Sequence, residues 1–171
     1  HAWHALVELT DDGSLGEAPE ALLARLLEPL VGGLVEDAAI ASSEAQADAF
    51  WRIRDSISEA ERAEGPTLAH DISVPVDAMP RFMVAAAREV ERAFPGTLAS
   101  GFGHLGDGNV HFHVRAGASA APDWYERQAP AITRMVHDLV TAAGGSISAE
   151  HGIGQMKRDE LARLAPERVA A

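Results

Sequence analysis

Short stretches of the chain alternate apolar and polar residues, whereas longer stretches repeat apolar residues at helical spacing. Alternation is typical of a strand with one face buried, and a repeat every three to four residues is typical of an amphipathic helix. The short patterns predict strands at residues 3–9, 36–42, 70–79 and 146–150, and a two-strand hairpin at 97–116. The longer patterns predict helices at residues 20–35, 43–65, 77–96, 124–145 and 155–171.

Capping residues mark several of these helix ends. Ser42 or Ser43 is a suitable N-cap for the helix at 43–65, and Gly65 is a suitable stop. Asp123 can cap the helix that follows it. The boundaries of these two helices are therefore predicted by local hydrogen bonding as well as by spacing.

The order of the predicted elements indicates the fold class. Strands and helices mixed with a hairpin predict an α+β fold, in which an antiparallel sheet carries helices packed on one face. A ferredoxin-like arrangement is the natural member of that class. A length of 171 residues is enough for one domain with a real core. We therefore expect residues 1–171 to form a single domain.

Charge and composition exclude several kinds of partner. The chain has 14 Lys and Arg against 26 Asp and Glu, a formal net charge of −12, which disfavours binding to nucleic acid or to an anionic membrane. It has 0 Cys, which excludes disulfides and thiolate metal sites and fits a reducing compartment. No apolar run is long enough for a membrane-spanning helix. We expect a cytoplasmic protein.

The stretch GHLGDGNVHFHV (103–114) places three histidines around a tight turn. Asp107-Gly108 is a strong hairpin signal, because glycine tolerates the positive φ that such turns need. The turn returns His104 beside His111. Alternation gives the second strand an apolar face and a polar face. The apolar face contains Val110, Phe112 and Val114, and the polar face contains Asn109, His111, His113 and Arg115.

Two converging imidazoles have two interpretations. They can bind a divalent metal, or they can be solvated side chains on an exposed strand face. The later stretch SAEHGIG (148–154) supplies Glu150, a carboxylate that would complete a His/His/carboxylate set with open positions for a substrate. His151, one residue on, could then act as a base. The alternative for this second stretch is a plain turn with an exposed acid.

Two motifs together carry a resemblance to a known family. The sequences GHLGDGNVHFHV and AEHGIGQMKRD resemble the C-terminal domain of flavin-linked 2-hydroxy-acid dehydrogenases, which include D-lactate dehydrogenases, D-2-hydroxyglutarate dehydrogenases and the glycolate oxidase subunit. FWRIRDSISEA and HDISVPVDAMPRF match the family pattern in the same order. The resemblance covers nearly the whole chain.

The resemblance implies a role for each matching residue. His104, His111 and Glu150 match metal ligands, for zinc or manganese, and His151 matches the catalytic base. A second group matches positions that hold the substrate. This group contains Arg54, which pairs with the substrate carboxylate, Ser58, and His113, where relatives often have Asn.

The resemblance also implies the reaction and the partners. A D-2-hydroxy acid would be oxidised to a 2-oxo acid by hydride transfer to FAD, with an electron acceptor that reoxidises the flavin. No glycine-rich nucleotide fingerprint is visible in this chain, so we expect an FAD-binding domain outside it and no turnover by this chain alone. Peripheral membrane association of the full enzyme is an alternative to a purely cytoplasmic location.

One position departs from the family pattern. Relatives often have Lys where this chain has Ala69, in LAHDISVP. A second cation for a dicarboxylate such as hydroxyglutarate is therefore missing at this position, although His70 or Arg115 could compensate for it.

Two alternatives from other functional classes remain at this point. The first is a metal-dependent hydrolase, which would act without flavin and with His151 activating water. The second is a non-catalytic oligomerisation domain, in which an exposed sheet edge pairs two chains as a homodimer. The second alternative predicts that alanine at His104, His111 or Glu150 leaves every property of the chain unchanged.

Overall fold

A computed structural model of the protein describes residues 3–14 and 16–169. The chain divides into two compact units, His1–Glu59 and Ala60–Ala171. Each unit has its own local structure. The predicted histidine hairpin and the Glu150-His151 turn both belong to the second unit.

The first unit is helical. It contains α1 (Pro19–Leu27), α2 (Glu44–Asp55) and the start of α3 (Ile57–Ala63). The predicted cap of α2 is confirmed, because the Ser43 side chain accepts a hydrogen bond from the backbone N–H of Gln46.

Four predictions for this part of the chain need correction. Residues 3–9 and 36–42 form no regular strand in the structure, because a strand needs a paired neighbour and neither segment has one among the described residues. The helix predicted at 20–35 ends at Leu27, because Pro29 lacks the N–H that would continue the helical hydrogen bonds. The helix predicted at 43–65 breaks at Ser56, whose hydroxyl donates to the Ile53 carbonyl.

The second unit is built on a three-stranded antiparallel sheet with the order β1-β3-β2. A single antiparallel bridge joins Ser146 to Ser73, on the edge of β1 away from β3. The chain order is thus βαββαβ with the fourth strand reduced to one bridge, which confirms the α+β, ferredoxin-like prediction. The elements are β1 (Thr67–Ser73), a 3-10 turn (Val76–Ala78), α4 (Met79–Ala93), β2 (Thr97–His104), β3 (Asn109–Ala116), α5 (Trp124–Ala142), α6 (Arg158–Leu164) and α7 (Pro166–Val169).

The remaining differences lie at element ends. The strand predicted at 146–150 shrinks to the one bridge at Ser146. Asp123 occupies the N-cap position of α5, but its side chain makes no capping hydrogen bond. The last predicted helix begins at Arg158 and is interrupted at Ala165, because the following Pro166 disfavours a helical conformation there.

The core lies between one face of the sheet and helices α4 and α5. Val110, Phe112 and Val114 of β3 are each 0% exposed, so the predicted apolar face of this strand is confirmed. α4 and α5 supply apolar side chains at helical spacing toward this face. Their buried core residues are Met79, Phe82, Ala86 and Val90 from α4 and Trp124, Ile132, Val136 and Val140 from α5.

One polar side chain, His70, is buried within this core face. Its Nδ1 lies 3.1 Å from the Phe112 carbonyl and its Nε2 lies 3.2 Å from the Thr133 hydroxyl. Both contacts are satisfied by a neutral ring that donates from Nδ1 and accepts at Nε2. Burial, opposed by the bond to Phe112 and reinforced by nearby His137, lowers the pKa of His70 to about 4.

No helix among the described residues combines the length and the apolar character needed to cross a lipid bilayer.

The neutral state of His70 predicts a pH-dependent stability. An unfolded histidine binds a proton below about pH 6.5, whereas folded His70 resists protonation until about pH 4. Its contribution to the free energy of unfolding should be complete above pH 6.5 and should be lost as the pH falls toward 4, by up to about 3 kcal/mol. Urea unfolding across this pH range measures the loss.

The matched variants are His70→Asn, whose amide N–H can replace the Nδ1 donor, and His4→Asn in the first unit. The pH dependence should flatten in the first variant and persist in the second. An unchanged slope in His70→Asn would show that other groups control acid unfolding.

Candidate functional site

The sheet face opposite the core carries polar and aromatic side chains. The register places Asp71 of β1 and Phe102 of β2 on either side of His111, and Ala69 and Ser100 on either side of His113. Since side chains on paired strands at the same register share a face, these residues form one surface, which we call the open face. The predicted polar face of β3 is therefore confirmed as the face away from the core.

The hairpin between β2 and β3 is closed by residues 105–108. Asp107 Oδ1 accepts the backbone N–H of Asn109 at 3.0 Å, and the Gly108 N–H donates to the His104 carbonyl at 3.1 Å. Gly108 has φ +74°, and a Cβ there would lie 2.0 Å from the Val74 carbonyl oxygen. Only glycine allows this approach, which lets Val74 N–H donate to the Gly108 carbonyl at 3.0 Å.

His104, His111 and Glu150 converge at this end of the open face. The ring centroids of the two histidines lie 6.2 Å apart, with their planes at 89°. The two oxygens of Glu150 face different rings, with His104 Nδ1 3.5 Å from Oε1 and His111 Nε2 3.8 Å from Oε2. The structure thus brings together the three residues that the resemblance implied as metal ligands.

Asp71 of β1 holds the turn that carries Glu150 and His151. Its Oδ2 accepts backbone N–H groups from Ala149 at 3.3 Å, Glu150 at 2.9 Å and His151 at 2.9 Å. The same oxygen lies 3.2 Å from His151 Nδ1. A carboxylate that accepts several backbone N–H groups is a strong anchor, because each bond is assisted by its charge.

The surroundings of Asp71 keep it ionised. Burial by itself disfavours the charged form, but the N–H groups of His151, Glu150 and Ala149, together with the nearby His151 ring, outweigh it and lower the pKa of the Asp71 carboxyl below its usual value. Its Oδ1 is buried and has no hydrogen-bond partner among the described residues.

Asp71 was not among the site residues predicted from the sequence. One signal was present, because Asp is depleted in strands and this one lies within a buried strand. Its partners are backbone groups that lie 78 to 80 residues further along the chain. Side-chain motifs in the sequence do not reveal such contacts.

Lys157, just before α6, fixes the far end of the same loop. Its Nζ donates to the Ile147 carbonyl at 2.9 Å and lies 3.4 Å from the Asp71 carbonyl oxygen. Burial, partly offset by the charge of Asp71, lowers the pKa of Lys157. The loop between Ile147 and Lys157 is therefore tied to β1 at both of its ends.

His113 lies further along the open face. His113 as a whole is only 4% exposed, and its Nδ1 is buried without a hydrogen-bond partner among the described residues. The ring packs edge-on against Phe102, with centroids 5.2 Å apart. Burial, opposed by the charge of Glu61, lowers the pKa of His113, which favours the neutral ring.

Arg115, at the end of this face, is engaged by carboxylates. Its Nε lies 3.2 Å from Glu61 and its Nη1 lies 3.9 Å from Glu64. Ser100 donates to the other oxygen of Glu61 at 2.7 Å. The arginine that sequence analysis offered as a replacement cation is thus paired within the second unit.

Arg54 and Ser58 lie in the first unit. Arg54 is a half-buried residue near the end of α2, and its Nη1 lies 3.8 Å from Asp55. Ser58 is a half-buried residue of α3. Their part in binding a substrate stays a prediction.

A cleft of about 220 Å³ opens beside the Glu150 carboxylate. Asn109 contributes to its wall, and the Asn109 side-chain oxygen and nitrogen are both buried without a hydrogen-bond partner among the described residues. Polar groups in such a state are available to a small polar ligand. The other residues of the wall are Ser73, Asp107, Ser148 and Ala149.

The donor atoms fit a divalent cation. Ligands that share one zinc ion at about 2 Å lie roughly 3 to 3.5 Å from one another. His104 Nδ1 and His111 Nε2 lie 3.5 and 3.8 Å from different oxygens of Glu150, at the edge of this range and slightly beyond it. Among the described residues, the group whose ligand atoms all lie within 4.8 Å of one another is Asp71, His111 and Glu150, without His104. Two imidazole nitrogens and a carboxylate oxygen are donors that suit zinc or manganese.

Three curated proteins similar to this chain are named as D-2-hydroxyglutarate dehydrogenases. The mitochondrial D-2-hydroxyglutarate dehydrogenase of Arabidopsis thaliana is 36% identical over 171 residues, covering 98% of this chain and 29% of the relative. The D-2-hydroxyglutarate dehydrogenase of Xanthomonas citri is 33% identical over 159 residues, covering 92% and 34%. The mitochondrial enzyme of Rattus norvegicus is 30% identical over 164 residues, covering 96% and 29%.

This chain therefore spans about a third of the length of the curated relatives it matches. The family model described as FAD linked oxidases, C-terminal domain, matches residues 1–171. Both findings confirm the resemblance carried by the two histidine motifs. The chain belongs to the family of FAD-linked oxidases and corresponds to their C-terminal domain.

Proposed function

We propose that this chain is the substrate-binding domain of a flavin-dependent dehydrogenase that oxidises a D-2-hydroxy acid to a 2-oxo acid. The observation that carries the proposal is the convergence of His104, His111 and Glu150 on the open face, next to His151. Metal-ligating donors beside a potential base are the groups that activation of a hydroxyl requires.

His104, His111 and Glu150 would hold a zinc or manganese ion. When bound, such an ion supplies positive charge that lowers the pKa of a coordinated hydroxyl group. His151 would accept the hydroxyl proton of the substrate at its ring nitrogen. FAD, bound mainly by another domain of the same enzyme, supplies the oxidation, so that the substrate loses one proton and one hydride overall.

Substrate orientation is assigned to residues outside the metal set. Arg54 would pair with the substrate carboxylate, for which a planar guanidinium is well shaped, and Ser58 would add a hydroxyl contact. His113 would contact the substrate from the open face, where its unpartnered Nδ1 supports this role. Residues 1–171 would thus act together as one substrate domain.

The substrate class is proposed from the names of the relatives and from Ala69, which stands where relatives often have Lys. The relatives named above are D-2-hydroxyglutarate dehydrogenases, which supports a 2-hydroxy acid. Ala69 lies beside His113 on the open face and provides no cation for a second carboxylate, and Arg115 is already paired with Glu61. We therefore favour a monocarboxylic acid of the D-lactate or glycolate type over a dicarboxylate.

The remaining parts of the proposal concern the whole protein. An electron acceptor would reoxidise the flavin. We keep the cytoplasm as the proposed location, while noting that the plant and rat relatives are named as mitochondrial. The hydrolase and oligomerisation alternatives gain no support from the comparisons.

Reduction of bound flavin by substrate tests the proposal directly. The holoenzyme, with this chain and its FAD-binding domain, is mixed without oxygen with D-lactate, glycolate or D-2-hydroxyglutarate. We expect the flavin absorbance to bleach with at least one of the acids and the matching 2-oxo acid to form. His151→Ala should slow bleaching by about 100-fold or more, the usual contribution of a general base.

The L-isomers of lactate and 2-hydroxyglutarate serve as the substrate control, and Asp77→Asn, on the exposed 3-10 turn, serves as the variant control. A flavin that stays oxidised with all three acids would reject the proposal.

Metal binding can be measured on the 171-residue chain itself. Elemental mass spectrometry should find about one zinc or manganese per chain after reconstitution, and the His104→Ala/Glu150→Ala variant should lose it, because two of three ligands are removed. The matched variant His4→Ala/Glu126→Ala removes the same residue types elsewhere and should keep the metal. Equal metal in both variants would place the ion away from the hairpin.

A cation restored at position 69 should change substrate preference. In the holoenzyme, Ala69→Lys should raise kcat/KM for D-2-hydroxyglutarate relative to D-lactate by about 10-fold, because an ammonium beside His113 can pair with a second carboxylate. Ala69→Met has a similar length without charge and is the control. An identical preference ratio in both variants would show that the substrate does not extend toward this position.

A further inference from the structure

Asp71 makes several contacts with the Glu150-His151 turn that the proposed function does not use. Its Oδ2 accepts the backbone N–H groups of Ala149, Glu150 and His151. Three donors on one oxygen fix the direction of the backbone through this turn. Without Asp71, these three N–H groups would bond to water, and nothing would fix the path of the turn above the sheet.

The same oxygen also orients the His151 ring. Oδ2 lies 3.2 Å from His151 Nδ1, and the ring is otherwise 72% exposed. A carboxylate has no proton to donate, so its charge at this distance favours the tautomer of the neutral imidazole that carries the proton on Nδ1. The lone pair is then on Nε2, which is the nitrogen left to receive a proton from a substrate.

The position of Asp71 ties the turn to the metal-ligating strand. Asp71 pairs in register with His111 of β3, and Asp71 is only 7% exposed. A buried residue in a paired strand is held rigidly, so the turn is fixed relative to β1 and to its neighbour β3, which carries His111. The arrangement places one fixed carboxylate behind both Glu150 and His151.

We propose that Asp71 is a positioning residue that presets the Glu150-His151 turn and holds the His151 ring with Nε2 toward the substrate. This inference rests on the proposed function for the chemistry of His151, but the part that concerns the turn stands independently of it. Asp71 acts through His151, by fixing the orientation and favouring one tautomer of its ring.

A competing role for Asp71 is that of a metal ligand. Its carboxylate lies within ligand reach of His111 and Glu150, and its Oδ1 has no partner among the described residues. The two roles differ in what happens when the charge is removed but the acceptor oxygen is kept. Asp71→Asn makes that change, and Asp71→Ala removes the acceptor as well.

The first experiment measures the turn itself. Hydrogen exchange of the backbone amides at 149–151 is followed by mass spectrometry in the 171-residue chain, without any need for activity. Asp71→Ala should accelerate this exchange by about tenfold or more, and Asp71→Asn should leave it within about threefold of the unmodified chain. Exchange that is unchanged in Asp71→Ala would overturn the turn-building role.

The second experiment measures metal and kinetics together in the holoenzyme. Asp71→Asn should keep about one metal per chain and a KM within about threefold, while kcat falls at least about tenfold, because substrate binding is retained and the charge that favours the Nδ1–H tautomer of the base is lost. In a His151→Ala background, Asp71→Asn should lower kcat by no more than about twofold. Asp77→Asn is the matched control.

Each result separates the competing roles. If Asp71→Asn loses the metal while the backbone amides at 149–151 stay protected from hydrogen exchange, Asp71 is a metal ligand. That result would overturn the positioning role. An unchanged kcat in Asp71→Asn, in an enzyme that turns over normally, would overturn the inference and leave the proposed function intact. Absence of turnover in the unmodified holoenzyme would instead reject the proposed function, and the exchange result would still decide the role of the turn.

Discussion

The pairing register of β3 with its two neighbours is the constraint on which the site depends. Because side chains alternate along a strand, this register sends Phe112 and its neighbours into the core and His111 to the opposite face. A slip of one residue would bury the imidazoles and expose the apolar set. Core packing against α4 and α5 therefore fixes the site from behind, and the energy of that packing selects the correct register.

The candidate site is assembled from three separate segments on this sheet. The hairpin supplies His104 and His111, the loop before α6 supplies Glu150 and His151, and β1 supplies the carboxylate of Asp71. Functional groups on loops must be held in place by rigid parts of the fold. Here the loop is held by the buried carboxylate of Asp71, whose charge is compensated by backbone N–H groups. The fourth strand of the fold is reduced to one bridge, which leaves the segment after Ser146 free to turn over the open face.

The sequence predicted the parts of this structure that depend on local patterns. Alternation along β3 and the Asp107-Gly108 turn were enough to predict the two faces and the approach of His104 to His111. The strands expected at 3–9 and 36–42 did not form, because alternation describes one strand and not the partner that must pair with it. Asp71 was missed for a related reason, since its role consists of bonds to backbone groups, which leave no side-chain pattern in the sequence.

The close approach of Gly108 to Val74 has a consequence for redesign of this scaffold. Hairpin tips usually accept inserted residues, labels or new chain ends, because they project into solvent. This tip is instead hydrogen-bonded to the end of β1, with no space for even a methyl group at Gly108. Added sequence is better placed at the opposite end of the sheet, in the mostly exposed connection at 118–123, where it would leave the histidines undisturbed.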